Sequence, residues 1–175
     1  DSSRLDVPAN EVVLEMFDDN KTNFLFLGRI IPNKCFHDLI KVFAFYQRYI
    51  DRNSRLLLVG EWVGFEKYYE ALVRMVDELA LKDVVFTGHV DDDDLVAYYE
   101  VADLFLCLSE HEGYCVPLVE AFELGVPVMA LDAGAVPETL GGAGVLIREK
   151  RIDEIAMMAH AIVTDEELSA KIVEI

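Results

Sequence analysis

Six short apolar runs constrain this chain more than any other feature: "NFLFLG" (23–28), "RLLLVG" (55–60), "DVVFTG" (83–88), "DLFLCLS" (103–109), "VPVMAL" (126–131) and "AGVLI" (143–147). Each has the length of a strand and is nearly continuous in apolar character. Strands covered on both faces read this way, whereas half-exposed strands alternate. Helical patterns separate the runs. Residues 35–50 place Leu39, Ile40, Phe43, Ala44, Tyr46 and Ile50 on one face. Residues 65–81 do the same with Tyr69, Leu72, Val73, Val76, Leu79 and Ala80. Shorter helices are expected at 92–101 and 116–124, and two more at 151–163 and 165–174. Strand alternating with helix means βαβ units. The expected fold is α/β, a single Rossmann-like domain with a doubly wound parallel sheet of about six strands, helices on both faces and right-handed crossovers. The 175 residues suit one domain, which buries roughly 70% of its unfolded surface and needs no disulfide or metal to fold. Residues 1–22, with Pro8, read as a lead-in segment, which leaves 23–175 as the domain proper.

Charge narrows the possible partners. Fifteen basic residues against 33 acidic ones give a net charge of −18, which argues against a nucleic-acid footprint built on a basic stripe. A small anionic ligand remains compatible, because charges beyond about 8 Å are largely screened at physiological salt and local cations decide. Cys35, Cys107 and Cys115 are an odd, sparse set, as expected of a protein in a reducing, cytoplasmic compartment. No signal peptide and no run of 18 apolar residues is present.

In an open parallel sheet, ligands bind outside the carboxyl ends of the strands. The residues following each run therefore carry the argument. They are Gly28 and Arg29 with Lys34 close behind, then Gly60, Glu61 and Trp62, then Gly88, His89 and Val90, then Ser109 to Glu112, and finally "LDAGAVPE" (131–138). Arg29 offers a guanidinium fork and Lys34 a compact charge, both suited to phosphate oxygens, and a helix start near Lys34 is expected to add backbone donors. The nicotinamide-binding fingerprint Gly-x-Gly-x-x-Gly is missing, because the first turn reads "GRIIPNKC"; a dehydrogenase is excluded on that ground. In "SEHEGYCVPLVEAF" (109–122), Glu112 and Glu120 bracket a turn made of Gly113, Tyr114, Cys115 and Pro117, and the amides from Tyr114 to Val116 lead into a helix with Pro117 in its first turn. Carboxylates accept only, so they suit hydroxyl donors. Two acids beside an anion-friendly turn suit a sugar diphosphate, although Glu120 could equally serve the helix dipole. The run Asp91 to Asp94 reads as helix capping, with an Asp-x-Asp metal site as the alternative.

On these residues the chain resembles the nucleotide-sugar-binding half of the retaining glycosyltransferases of family 4 (group 1), which have the GT-B fold. "GRIIPNK", "LLLVG", "VVFTGHV" and "SEHEGYCVPLVEAFELGVPVMALDAGAVPETLGGAGVLI" carry the likeness, from about Asn23 to Ile147. The Glu-x7-Glu element from Glu112 to Glu120, taken with Arg29 and Lys34, is its specific part. The resemblance implies that Arg29 and Lys34 hold the donor pyrophosphate and stabilise the leaving nucleotide diphosphate. It implies that Glu112 meets hydroxyls of the donor sugar and Glu120 the ribose hydroxyls. It also implies backbone contacts at Gly28, Gly60, Gly113, Tyr114, Cys115 and Val116, and base reading around His89 and Val90. Glu112, Arg29 and Lys34 are thus the expected catalytic residues. The family pattern has Gly-Phe-Gly where this chain has Gly113-Tyr114-Cys115, so the Cys115 side chain is expected to narrow the approach to the ligand.

The resemblance further implies transfer from a UDP-, GDP- or ADP-sugar with retention to a glycan or glycolipid acceptor, with no metal or other cofactor. A GT-B relative such as an epimerase or phosphorylase, or a non-catalytic binding module, is the alternative. Such an enzyme uses two domains. The expected partner of this chain is an N-terminal acceptor-binding half, through which a full-length protein would meet the inner membrane face. The start at Asp1 and the end at Ile175 read as those of a piece of a longer protein.

Overall fold

The computed structural model describes residues 3–174. Six parallel strands form one sheet: β1 (Thr22–Leu27), β2 (Ser54–Val59), β3 (Val84–Phe86), β4 (Leu104–Cys107), β5 (Val128–Leu131) and β6 (Val145–Ile147). Their order is β3-β2-β1-β4-β5-β6. This is the Rossmann order, with its switch point between β1 and β4. β2, β4 and β5 are buried at every position, which is why their sequences show no alternation. The pairing of Phe24 with Leu104 and of Leu25 with Phe105 sets β4 beside β1, so both open their C-terminal ends onto one crevice.

Helices cover both faces: α1 (Glu11–Met16), α2 (Phe36–Tyr49), α3 (Glu66–Glu78), α4 (Asp92–Val101), α5 (Val116–Glu123), α6 (Val136–Leu140), α7 (Ile152–Thr164) and α8 (Glu166–Val173). α2 packs on α7 and α1 on α4. Phe24, Phe43 and Tyr46 meet edge to face under α2. The expected strands at 83–88, 103–109, 126–131 and 143–147 prove shorter. Residues 87–88 and 108–109 belong to the rim turns after β3 and β4, whereas 126–127 and 143–144 lie before β5 and β6 at the opposite end of the sheet.

Residues 3–22 pack as part of the domain. Val13 and Phe17 enter the core, and Phe17 meets Tyr98 with ring centroids 5.7 Å apart. Arg55, buried at the start of β2, pairs with Asp19 and donates to Asn23 Oδ1 at 2.9 Å. A buried guanidinium needs such partners, so this pair holds the lead-in segment to the sheet. Asn10 ties the same segment to α4. Its amide donates to the Asp93 carbonyl at 3.0 Å, and its Nδ2 to Asp94 Oδ1 at 2.7 Å. The capping expectation for Asp91 needs correction: it is the N-cap residue of α4, but its side chain caps nothing. Asp92, Asp93 and Asp94 still face the positive end of the helix, and Asp94 is occupied by Asn10.

Among the described residues, no helix is long and apolar enough to cross a membrane.

Candidate functional site

Three glycine turns align along the rim beyond β1, β2 and β3. The Gly28 amide donates to the Val59 carbonyl at 3.0 Å, and Gly60 forms an isolated bridge with Gly88. Gly60 has φ +153°, and a Cβ there would stand 1.8 Å from the Gly28 carbonyl oxygen. Only glycine lets the first two turns touch. Beside them lies an open cleft of about 370 Å³. Gly28, Arg29, Gly60, His89 and Val90 line it together, joined by Arg4 and Pro117. A hollow of about 500 Å³ between α7 and α8 has Asp103, Glu166 and Glu174 on its wall and no cation. The rim cleft, in contrast, has two guanidinium groups, Arg4 and Arg29, on its wall.

The Arg29 guanidinium leans along the loop after β2. Its Nε lies 3.5 Å from Glu61 Oε1, and it sits 5.7 Å from the Phe65 ring centroid. Lys34 turns the other way, and its Nζ donates to Glu112 Oε1 at 2.8 Å. The Glu112 side chain is only 6% exposed, so this pair is a shielded contact that links the loop after β1 to the loop after β4. A helix does start near Lys34, with α2 opening at Phe36, but Lys34 itself belongs to a separate turn. Residues Pro32–Lys34 form a 3-10 turn, in which the Lys34 and Cys35 amides donate to Ile31 and Pro32. Pro32 favours that turn, and Cys35 closes it in the left-handed region at φ 56°.

The loop from Ser109 to Cys115 is held at several points. The Glu110 amide donates to the Asn33 carbonyl at 3.2 Å. Lys150 bridges Glu110 and Asp38 at 2.8 and 2.7 Å. Burial opposes the Lys150 charge, yet the two carboxylates more than offset it and raise its ammonium above the ordinary lysine range. On the far side, the Ala135 amide donates to the Glu112 carbonyl at 3.1 Å. Gly134, with φ +54°, packs so closely there that a Cβ would lie 2.2 Å from the same carbonyl oxygen. Gly113 differs: a Cβ there meets nothing within 4 Å, so the fold places no steric demand on it.

Cys115 does not narrow the approach to the ligand as the sequence suggested. It is 5% exposed, with its sulfur within 4.8 Å of Cys107 Sγ and of a Glu112 carboxylate oxygen. The hydrogen bond with Cys107, reinforced by burial, pushes its thiol pKa far up, so it stays protonated. It immediately precedes α5 without capping it by its side chain. Tyr114 is 70% exposed and Val116 partly buried at the helix start.

Glu120 lies one layer deeper than the sequence suggested. It is fully buried and does not line the cleft. Arg4 covers it: Arg4 Nε donates to Glu120 Oε2 at 2.7 Å and Nη2 to Oε1. The Tyr99 hydroxyl stands 3.3 Å from Oε1. Sequence reasoning missed Arg4, Gly134 and Lys150 because each reaches the site from a distant segment. Only the glycine in "LDAGAVPE" gave a signal. His37 and His160 are structural, bonded to Tyr68 and Tyr46 at 2.7 and 3.1 Å. Trp62 stacks flat on Tyr69 at 3.8 Å.

The doubly wound sheet gathers glycine turns, two cations and two shielded acids at the carboxyl ends of its strands. Comparison with known proteins places it more narrowly. The chain belongs to the family described as glycosyl transferases group 1, whose profile matches residues 14–175. It is 26% identical over 144 residues to the serotype-specific mannosyltransferase WbdA of Escherichia coli, covering 81% of this chain and 17% of that protein. It is 28% identical over 151 residues to the GDP-mannose-dependent alpha-(1-6)-phosphatidylinositol monomannoside mannosyltransferase of Mycobacterium tuberculosis (strain CDC 1551 / Oshkosh), covering 81% and 38%. HepE from Anabaena, solved in complex with UDP and glucose, has the same fold with a TM-score of 0.80 and 24% identity, over 99% of this chain and 46% of that one. The chain thus spans less than half the length of these relatives, and its fold is that of one half of the GT-B glycosyltransferases.

Proposed function

We propose that this chain is the donor-binding domain of a retaining hexosyltransferase that moves a sugar from a nucleoside diphosphate sugar to a glycan or glycolipid. The Lys34–Glu112 pair at the switch point carries the reading. It sets a cation for diphosphate next to an acceptor for sugar hydroxyls, beside the glycine-lined cleft that holds Arg29, His89 and Val90. As the bond from the anomeric carbon to the diphosphate oxygen breaks, negative charge collects on the leaving group. Lys34 and Arg29 stabilise it there. Two cations can do this without a metal or other cofactor. Glu112 is held by Lys34 and orients the sugar through its hydroxyls. The acceptor attacks from the side the diphosphate leaves, so configuration is retained. Backbone around His89 and Val90 reads the base. The acceptor, and any contact with the cytoplasmic membrane face, belongs to a second domain.

GDP-mannose is the first donor to test, since one relative is named as GDP-mannose-dependent; the UDP held by HepE makes UDP-glucose the main rival. Calorimetric titration of this chain with GDP, UDP and ADP, repeated on Lys34→Ala and Glu112→Gln, tests the reading. Hydrogen bonds to charged groups contribute roughly 1.5–3 kcal/mol, so Lys34→Ala is expected to weaken nucleotide binding about tenfold or more. Glu112→Gln should act on the nucleotide sugar more than on the bare nucleotide. Wild-type affinity that is indifferent to Lys34 would overturn the reading.

A further inference from the structure

Arg4 is 40% exposed and lies on the cleft wall, whereas the Glu120 carboxylate behind it is 1% exposed. A ligand entering the cleft therefore meets the guanidinium and not the acid. The pair is bidentate, with two neighbouring N–H donors reaching both oxygens of one carboxylate. A cis-diol presents the same pattern, two neighbouring O–H donors directed at one carboxylate. The carboxylate cannot be left bare in this position, because an unpaired buried charge is costly. Whatever removes Arg4 has to replace its donors. Arg4 is well placed to leave. It belongs to a three-residue 3-10 turn, Ser3–Leu5, far shorter than the helices around it. Its side chain already borders solvent, whereas Asn10 anchors the lead-in segment to α4 several residues further on.

We infer that Arg4 is a place-holder for the ribose diol, pairing with Glu120 in the empty domain and released when a ribonucleoside diphosphate enters. The inference rests on the donor-site reading above and adds an exchange step to it. Binding breaks the guanidinium contact, forms two hydroxyl–carboxylate contacts and frees the first turn of the chain. Arg4 therefore competes with substrate and lowers apparent affinity.

The test is titration of the chain and of Arg4→Ala with GDP and UDP, each beside its 2′,3′-dideoxy counterpart. With the competitor removed, the ribonucleotide that binds should bind about tenfold tighter, as expected for losing one charge-assisted contact. Its dideoxy counterpart should change less than about threefold, since it offers no diol. Equal weakening of both would make Arg4 a phosphate ligand and overturn the inference, as would no change in either. Wild-type protein supplies a second readout that needs no variant. Trypsin cleavage after Arg4, followed by mass spectrometry, should accelerate with the ribonucleotide and not with the dideoxy form; protection by the ribonucleotide overturns the exchange. Failure of both the wild-type chain and Arg4→Ala to bind any nucleotide removes the donor-site reading and this inference together. Binding that depends on Lys34 but is indifferent to Arg4 removes this inference alone.

Discussion

At the scale of single residues, two glycines of the same loop system make opposite demands. Gly134 is required by the fold: its φ of +54° and a Cβ that would stand 2.2 Å from the Glu112 carbonyl leave no room for a side chain. Gly113 has open space around it. Gly134→Ala is therefore expected to displace the Glu112 loop and destabilise the domain by about 1–3 kcal/mol. Gly113→Ala should leave the melting temperature within about a degree, because nothing in the fold touches the added methyl. If the Gly113 turn meets donor, the same methyl should weaken nucleotide-sugar binding several-fold. Thermal melts and titrations of both variants separate the two roles. Cold, tight nucleotide binding by Gly113→Ala would show that its backbone does not approach ligand. Of this pair, the sequence marked Gly113 through its place in the Glu-x7-Glu element. It left Gly134 as one small residue among several, because the contact that requires it comes from a loop about twenty residues away.

At the scale of elements, the site loop depends on a helix and a turn that carry no chemistry of their own. Lys150, just before α7, joins the Glu110 carboxylate of the loop to Asp38 of α2. The Glu110 pKa is held below the ordinary carboxylate range, chiefly by its hydrogen bond from Lys150 and then by the charge of Lys150. The sign follows directly. A carboxylate whose folded-state pKa is depressed adds stability above its unfolded value, about 4.3, and that contribution is lost as pH falls through the folded value. Amide exchange at Glu110, whose N–H donates to Asn33, should therefore quicken as pH is lowered through that window, beyond the intrinsic pH dependence of exchange. Lys150→Met should quicken it at neutral pH and remove the extra acid dependence. An unchanged profile in Lys150→Met would mean that Asn33 and Gly134 hold the loop without it. Elements of this kind were only half legible in the sequence. The apolar runs and helical spacing gave β1 to β6 and the long helices, because burial on both faces leaves a pattern within each segment. The pairing of Lys150 with Glu110, and of Arg55 with Asp19, leaves none, since such partners are chosen by the fold across long stretches of chain.

At the scale of the whole molecule, the cleft has one wall. Its lining comes from the turns after β1, β2 and β3, the start of α4 and α5, and Arg4, and it is open to solvent. Such a surface can hold a diphosphate through Arg29 and Lys34. On the proposed reading the acceptor is aligned by a second domain, and alignment is where a two-substrate reaction gains most, about 7–11 kcal/mol of its barrier in well-oriented cases. An open site also leaves water around the leaving diphosphate, which weakens the contacts that should strengthen as the bond breaks. The 175-residue chain should therefore bind a nucleoside diphosphate with modest affinity and transfer no measurable sugar. Incubation with GDP-mannose or UDP-glucose and a panel of glycan and lipid acceptors, with product followed by mass spectrometry, tests this beside the titrations. On the proposed reading, joining an N-terminal acceptor-binding half to this chain should bring transfer without a large change in nucleotide affinity, because Arg29 and Lys34 already stand at the rim. Efficient transfer by the chain alone would mean that the rim carries an acceptor site as well, and the division of labour between two halves would have to be abandoned for this protein.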